Sequence, residues 1–294
     1  MRTWIVGIDL HHRSDGAARF AAWLKERAAP PVALVGIHAV PTTALDELER
    51  FEGRARVKDR LQAEAEVALQ QTGVREAFAA VEVAEAEGAA DGLVKARADR
   101  AAEGLIVGRK ASREGTDLVR LGSVARRLLQ KLVAPTFVVP PDLEPEQLGD
   151  GPIVVAVTPA DASLGAVQFG AALAKALSRP LVFVRAISIP DEYAQIYWSG
   201  EAMAEFKAQR VRAAEERTSA WLAEHGQSGP LTVRYGDEVE EILAGATELR
   251  APLLVCGSRL LSRLERLVAL SASSELAARA AVPVLVVPPD ARAS

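Results

Sequence analysis

The chain has 294 residues, room for two domains of ordinary size, each with a core of its own. Its net charge of -4, from 35 basic and 39 acidic side chains, excludes general attraction to nucleic acid or to an anionic membrane surface. The single cysteine, Cys256, excludes an intrachain disulfide, no apolar run reaches transmembrane length, and the stretch before Asp9 does not resemble a signal peptide; a cytoplasmic setting is expected.

In chain order, Trp4–Asp9, Pro31–Val40, Val81–Val83, Gly104–Gly108 and Thr136–Pro140 are short, β-branched and apolar on both faces. Such runs suit strands covered on both sides. Between them, Ala17–Ala29, Leu45–Gln71, Ala89–Glu103 and Ser123–Leu132 are alanine-rich with helical spacing. The alternation predicts a five-stranded parallel sheet with right-handed crossovers. The stretch Pro140–Pro152 is rich in proline, glycine and acids; it reads as a linker that supplies no core. Strands are then expected again at Ile153–Thr158, Pro180–Ile187, Leu231–Tyr235, Pro252–Cys256 and Val284–Val287.

The second series is a copy of the first. Gly104–Pro141 returns as Pro252–Pro289, and Asp9/Thr158, Pro31/Pro180 and Gly108/Gly257 all stand 149 residues apart, falling to 148 at Pro135/Pro283 and Val139/Val287. A repeat of that length is a whole domain. The expected fold is therefore α/β, with two tandem domains, 1–147 and 148–294, each a five-stranded parallel sheet with helices on both faces.

In such sheets a ligand lies beyond the carboxyl ends of the strands, where strand order reverses. The loop there in the first half is Gly108 to Arg127. Gly108 permits a sharp turn and presents no side chain to a ligand. Gly122-Ser123 then opens a helix whose backbone N–H groups, hydroxyl and dipole suit phosphate oxygens. Arg109, Lys110, Arg113, Arg120, Arg126 and Arg127 outnumber Glu114 and Asp117 around it. A solvated loop with an ordinary helix cap fits the same residues.

VGID, LVGIHAV, LIVGRK, LGSVARRLL and APTFVVP resemble segments of the universal stress protein domain, and the resemblance covers both halves almost end to end. It implies an adenine-nucleotide α-hydrolase-like fold, with adenine and ribose near an aspartate ending the first strand and phosphates in a Gly-x2-Gly-x9-Gly-Ser/Thr loop. Asp9 matches the aspartate, Gly108 the first glycine, Gly122 the last and Ser123 the hydroxyl residue, with Lys110 and Val124 beside them. Ala111 stands at the middle glycine, with ten residues rather than nine between it and Gly122, and His38-Ala39 falls where the family contacts adenine. In the second half Thr158, Leu260 and Leu270 replace the aspartate and two glycines, while Gly257 and Ser271 remain. The resemblance thus implies a stress-response protein binding adenine nucleotide, ATP, in the first half only and without efficient turnover. A slow ATP hydrolase and a nucleotide-free module acting through a protein partner are the alternatives. Because the family dimerises through its last strand, TFVVPP and VLVVPP are expected to pair within the chain as a pseudo-dimer, with further homo-oligomers open.

Other features are weaker. His11 and His12 read as loop residues without a third ligand for a metal, and no catalytic constellation stands out. His225 reads as a helix-end residue, Cys256 as an inert core residue. Tyr193, Tyr197, Trp198, Met203 and Phe206 suit either a helix packed on the sheet or a lid or partner surface.

Overall fold

The computed structural model describes residues 2–111, 116–188, 200–258 and 271–291. The first half runs β1 (Arg2–Gly7), α1 (Asp15–Arg27), β2 (Val32–Pro41), α2 (Thr42–Glu52), α3 (Arg54–Gln71), β3 (Ala80–Ala86), α4 (Ala89–Asp99), β4 (Gly104–Gly108), α5 (Asp117–Lys131) and β5 (Thr136–Val139). The second runs β6 (Ile153–Ala156), α6 (Asp161–Ala176), β7 (Leu181–Ile187), α7 (Gly200–Glu224), β8 (Leu231–Tyr235), α8 (Glu238–Glu248), β9 (Leu254–Gly257), α9 (Ala272–Arg279) and β10 (Val284–Val287).

Each half supplies five parallel strands, but the two sets form one sheet of ten, in the order β3-β2-β1-β4-β5-β10-β9-β6-β7-β8. The seam is the one antiparallel pair, with Val284 opposite Val138, Leu285 opposite Phe137 and Val286 opposite Thr136. Every residue of both seam strands is buried, so each strand closes an edge that the other would leave unpaired. The strand alternation then divides the apolar side chains between two faces. On one face Trp4, Val6, Phe20, Phe137, Phe169, Phe183 and Leu222 belong to one cluster. On the other, Ile5, Leu93, Leu128, Val184, Ile242 and Leu276 belong to a second. Both clusters draw on both halves. Phe137 sits at the centre of the first, its ring 5.2 Å from Trp4 and 4.9 Å from Phe20.

Two local expectations are corrected. The helical stretch Leu45–Gln71 is two helices, because Gly53 adopts φ 79°, which a helix does not accommodate. The linker also supplies core: Leu143 is 2% exposed and belongs to the first cluster, next to a turn whose Pro141 carbonyl accepts from the Gly16 N–H at 3.0 Å.

One side chain ties the halves across the seam. Arg109, at the end of β4, is 2% exposed; its guanidinium donates to the carbonyls of Ala278 and, at 2.9 Å, Ala280, with Ala277 at 3.4 Å. These carbonyls end α9, where a cation also meets the negative end of the helix dipole. Burial lowers the Arg109 pKa to about 10. Its counterpart 149 residues on is Ser258, which has no guanidinium.

Val138 and Val286 are each 1% exposed. Val138→Asp or Val286→Asp should cost about 3 to 5 kcal/mol, the penalty of an uncompensated buried charge, and should enlarge the particle in X-ray scattering. Unchanged denaturation midpoints and radius would remove the seam. Arg109→Met should cost about 1 to 3 kcal/mol in chemical denaturation by leaving buried carbonyls unpaired, and Arg109→Lys should restore only part because it lacks the planar fork.

Candidate functional site

The strand order reverses at β1, whose neighbours are β2 on one side and β4 on the other. A cleft of about 280 Å³ opens there, between the carboxyl ends of those strands and α5. This is where doubly wound sheets place ligands, and the volume lies near the lower end of the ~300–1,000 Å³ usual for small-molecule pockets. Asp9, His38, Ala39, Gly108, Lys110, Gly122, Ser123 and Val124 all line it. Ala111 is not among the lining residues; its N–H donates to the Arg120 carbonyl at 3.2 Å, and the Lys110 N–H donates to the same oxygen at 2.8 Å. Those two backbone donors are therefore spent on closing the loop. The lining residues Ser123 and Val124 follow Gly122 on the cleft side of α5.

Gly122 breaks α5 with φ 72° and ψ 174°. That left-handed backbone favours glycine, and an added Cβ would also lie 2.9 Å from Lys110 Cβ. The residues after the break begin a new helical turn, and the leading N–H groups of such a turn suit anions. Gly108 is fixed by something else: a Cβ there would sit 2.3 Å from the Arg13 carbonyl. Its want of a side chain lets the loop after β1 pack onto the end of β4. Gly257 has the same role, 2.5 Å from the Ala162 carbonyl.

The Asp9 carboxylate is already engaged. Its Oδ2 lies 2.5 Å from Arg13 Nε, and its Oδ1 accepts from Arg13 Nη2 at 3.3 Å and from the His11 N–H at 3.0 Å. The Asp9 N–H donates to buried Ser14 Oγ at 2.8 Å, which holds the turn. His38 donates from Nδ1 to the Ile8 carbonyl at 3.0 Å, so in the neutral ring Nε2 is the acceptor. Arg13 and Ser14 line the cleft and were not singled out from sequence. Ser14 carried a signal all the same: it stands 149 residues before Ser163, whose hydroxyl accepts from the Thr158 N–H at 3.3 Å in the same way.

The corresponding corner of the second half has Thr158 in place of the carboxylate. Ser271 spends its hydroxyl as the N-cap of α9, accepting from the Ser274 N–H at 3.3 Å. Leu260 and Leu270 lie outside the described residues, as do Arg113, Glu114, Tyr193, Tyr197 and Trp198. Met203 and Phe206 are half-buried on α7. Among the remaining candidates, His12 Nδ1 is 3.1 Å from Asp15, His225 Nδ1 donates to the Trp221 carbonyl at 2.8 Å, and burial pushes the Cys256 thiol up to about 12. A thiol so shifted stays protonated and unreactive near neutral pH. Among the described residues, no group of three or more His, Cys, Asp or Glu side chains is placed to hold a metal ion, and no helix is long and apolar enough to cross a membrane.

Comparison with known proteins adds the family. The stress response protein NhaX of Bacillus subtilis (strain 168) is 33% identical over 100 residues, which cover 34% of this chain and 59% of that protein. A universal stress protein from Archaeoglobus fulgidus DSM 4304 superposes with a TM-score of 0.62 over 98% of both chains, at 14% identity. A functionally unknown protein, PA1789, from Pseudomonas aeruginosa PAO1 gives 0.58 over 99% of this chain and 93% of that one, at 15% identity. At such identities these likenesses show the fold alone. The family model described as "Universal stress protein family" matches twice, over residues 1–140 and 151–288, and so the chain belongs to the universal stress protein family, as two tandem copies.

Proposed function

We propose that this is a cytoplasmic stress-response protein whose first half, residues 1–147, binds an adenine nucleotide, in the form of ATP, without efficient turnover. The second half, residues 148–294, is its non-binding partner. One observation carries the reading: eight of the nine residues selected from the sequence line a single cleft at the strand-order reversal. In this reading Asp9 accepts from the ribose hydroxyls and backbone groups at His38-Ala39 meet the adenine edge. The turn at Gly122, Ser123 and Val124, with Lys110 opposite, receives the phosphates. Asp9 is the one carboxylate among the lining residues, and its pairing with Arg13 supports retention of a nucleotide over activation of water. Binding would then act by stabilising one conformation.

Calorimetric titration with ATP should give about one site per chain. Asp9→Ala should abolish it and Thr158→Ala should leave it unchanged. Two sites, or loss on Thr158→Ala, would overturn the assignment to the first half. ATP at about a hundred times its dissociation constant should raise stability by roughly 2.7 kcal/mol. Sustained phosphate release would replace the binding reading by slow hydrolysis.

The phosphate turn is tested separately. Gly122→Val adds a branched side chain where the backbone is left-handed, whereas Ser123→Ala removes one hydroxyl contact worth about 1 kcal/mol. The valine variant should lose ATP far more completely. Wild-type affinity in folded Gly122→Val protein would move the site elsewhere.

A further inference from the structure

The linker between the halves fills a groove of the protein's own. After β5 the chain turns, with the Leu143 N–H donating to the Pro140 carbonyl at 3.4 Å, and lies so close to α1 that a Cβ on Gly16 would sit 2.1 Å from that oxygen. Farther on, Glu144 pairs with Arg19 at 2.9 Å and Asp150 with Arg250 at 3.3 Å, while Leu148 packs against the core. The Gly151 N–H then donates to the Arg250 carbonyl at 3.0 Å. Side chains on Gly149 or Gly151 would strike the backbone of Leu249 and Arg250. An acidic segment with a 3-10 turn at Pro145–Gln147 is thus seated by backbone contact, two ion pairs and a leucine.

The same path starts again after β10. Pro288-Pro289-Asp290 repeats Pro140-Pro141-Asp142, and the Ala291 N–H donates to the Pro288 carbonyl at 3.1 Å. A Cβ on Gly165 of α6 would lie 2.9 and 3.0 Å from the Ala291 and Pro288 carbonyls, as one on Gly16 would crowd the linker. Beside Ala291 lies a groove of about 880 Å³, between the start of β1, the end of α4, and α6. Part of its wall is the linker's wall carried 149 residues back, with Arg100 for Leu249 and Ala101 for Arg250. Ala101 and Arg250 even share a left-handed backbone, with φ 47° and 51°.

What differs is charge. Arg19 and Arg250, which hold the linker's acids, have Gln168 and Ala101 as counterparts, whereas Arg100 stands for Leu249 and Arg2 and Arg97 also line this groove. Arg100 reaches Glu82, and Arg2 lies 3.4 Å from Glu103. Arg97 has no ion-pair partner among the described residues, and its Nε is buried without a hydrogen-bond partner. The acids facing them are Glu103 and Asp290. The groove therefore repeats part of the linker groove's wall and presents cations of its own, of which Arg97 is the unpaired one among the described residues.

We propose that this groove docks a short acidic segment of a partner protein, a leucine seated as Leu148 is seated in the twin groove and its acids facing Arg97, Arg100 and Arg2. Glu144 to Gly151 gives the length, eight residues. Recognition rests on backbone contact, one apolar anchor and charge, and is independent of the nucleotide cleft.

The test uses a fluorescently labelled peptide, Asp-Leu-Glu-Pro-Glu-Gln-Leu-Gly-Asp, the linker sequence from Asp142 to Asp150, titrated with the full chain and followed by anisotropy. Saturable binding is expected, weakened about fivefold or more by Arg97→Glu and by added salt. It should vanish when the second leucine of the peptide becomes aspartate, and Arg19→Ala should leave it unchanged. Arg97→Gln, which removes charge with little effect on the helix, should give an intermediate loss. No saturable binding would overturn the proposal. So would sensitivity to Arg19→Ala in place of Arg97→Glu, which would mean exchange with the linker. Binding that appears only after removal of residues 292–294 would assign the groove to the chain itself.

Discussion

The antiparallel pairing of β5 with β10 is the constraint on which the rest of the molecule depends. Each strand has four residues, and all eight are buried, so neither half has a finished sheet or a finished core without the other. Once the two strands are in register, the apolar clusters on both faces run through the seam, with Phe137 opposite Leu285 at its centre. The same pairing brings the end of β4 within reach of α9, which is what lets Arg109 cap that helix. A guanidinium is costly to bury, and here the cost is offset by carbonyls that would otherwise end a helix without partners.

That tie starts at the cleft, which Arg109 itself lines. Gly108 and Lys110 line the site, and Arg109 between them is anchored in the other copy. The floor of the cleft is therefore held from both sides of the seam: by the Arg13–Ser14 turn pressed against Gly108, and by α9 through Arg109. The second copy need not bind anything to matter for the first. It serves as part of the first copy's scaffold, which is one physical reason for a degenerate copy to keep its fold.

The fold was legible because its signals are local. Strands buried on both faces announce themselves as β-branched runs, and a duplication announces itself as a constant offset. The seam was legible as well, since an apolar edge strand needs a partner. The break at Gly53 was missed because the alanine and leucine pattern continues across it, and a positive φ leaves no trace in periodicity. Leu143 was missed because composition marked its neighbours as linker, and burial there depends on α1 lying alongside. At the site, glycine was the ambiguous letter. Gly122 is required by its backbone conformation, whereas Gly108 and Gly257 are required by a neighbouring carbonyl, so a glycine kept in the second half says nothing about a ligand there. Arg13 and Ser14 stayed hidden for a related reason: their importance comes from a turn that folds them back onto Asp9.

Joining the copies also settles where the sheet ends. Two separate five-stranded sheets would have four free margins; the continuous sheet keeps β3 and β8 alone. Both carry charges held in ion pairs, Glu82 with Arg100 and Glu85 with Arg54 and Lys58 on β3, Arg234 with Glu241 and Glu248 on β8. Adding a foreign strand at either margin would mean disturbing those pairs, a common protection against edge-to-edge aggregation. The strands that a one-copy relative would offer to a second molecule are consumed internally. Any higher assembly of this chain must be built on helix faces or grooves, and its geometry will owe nothing to the seam.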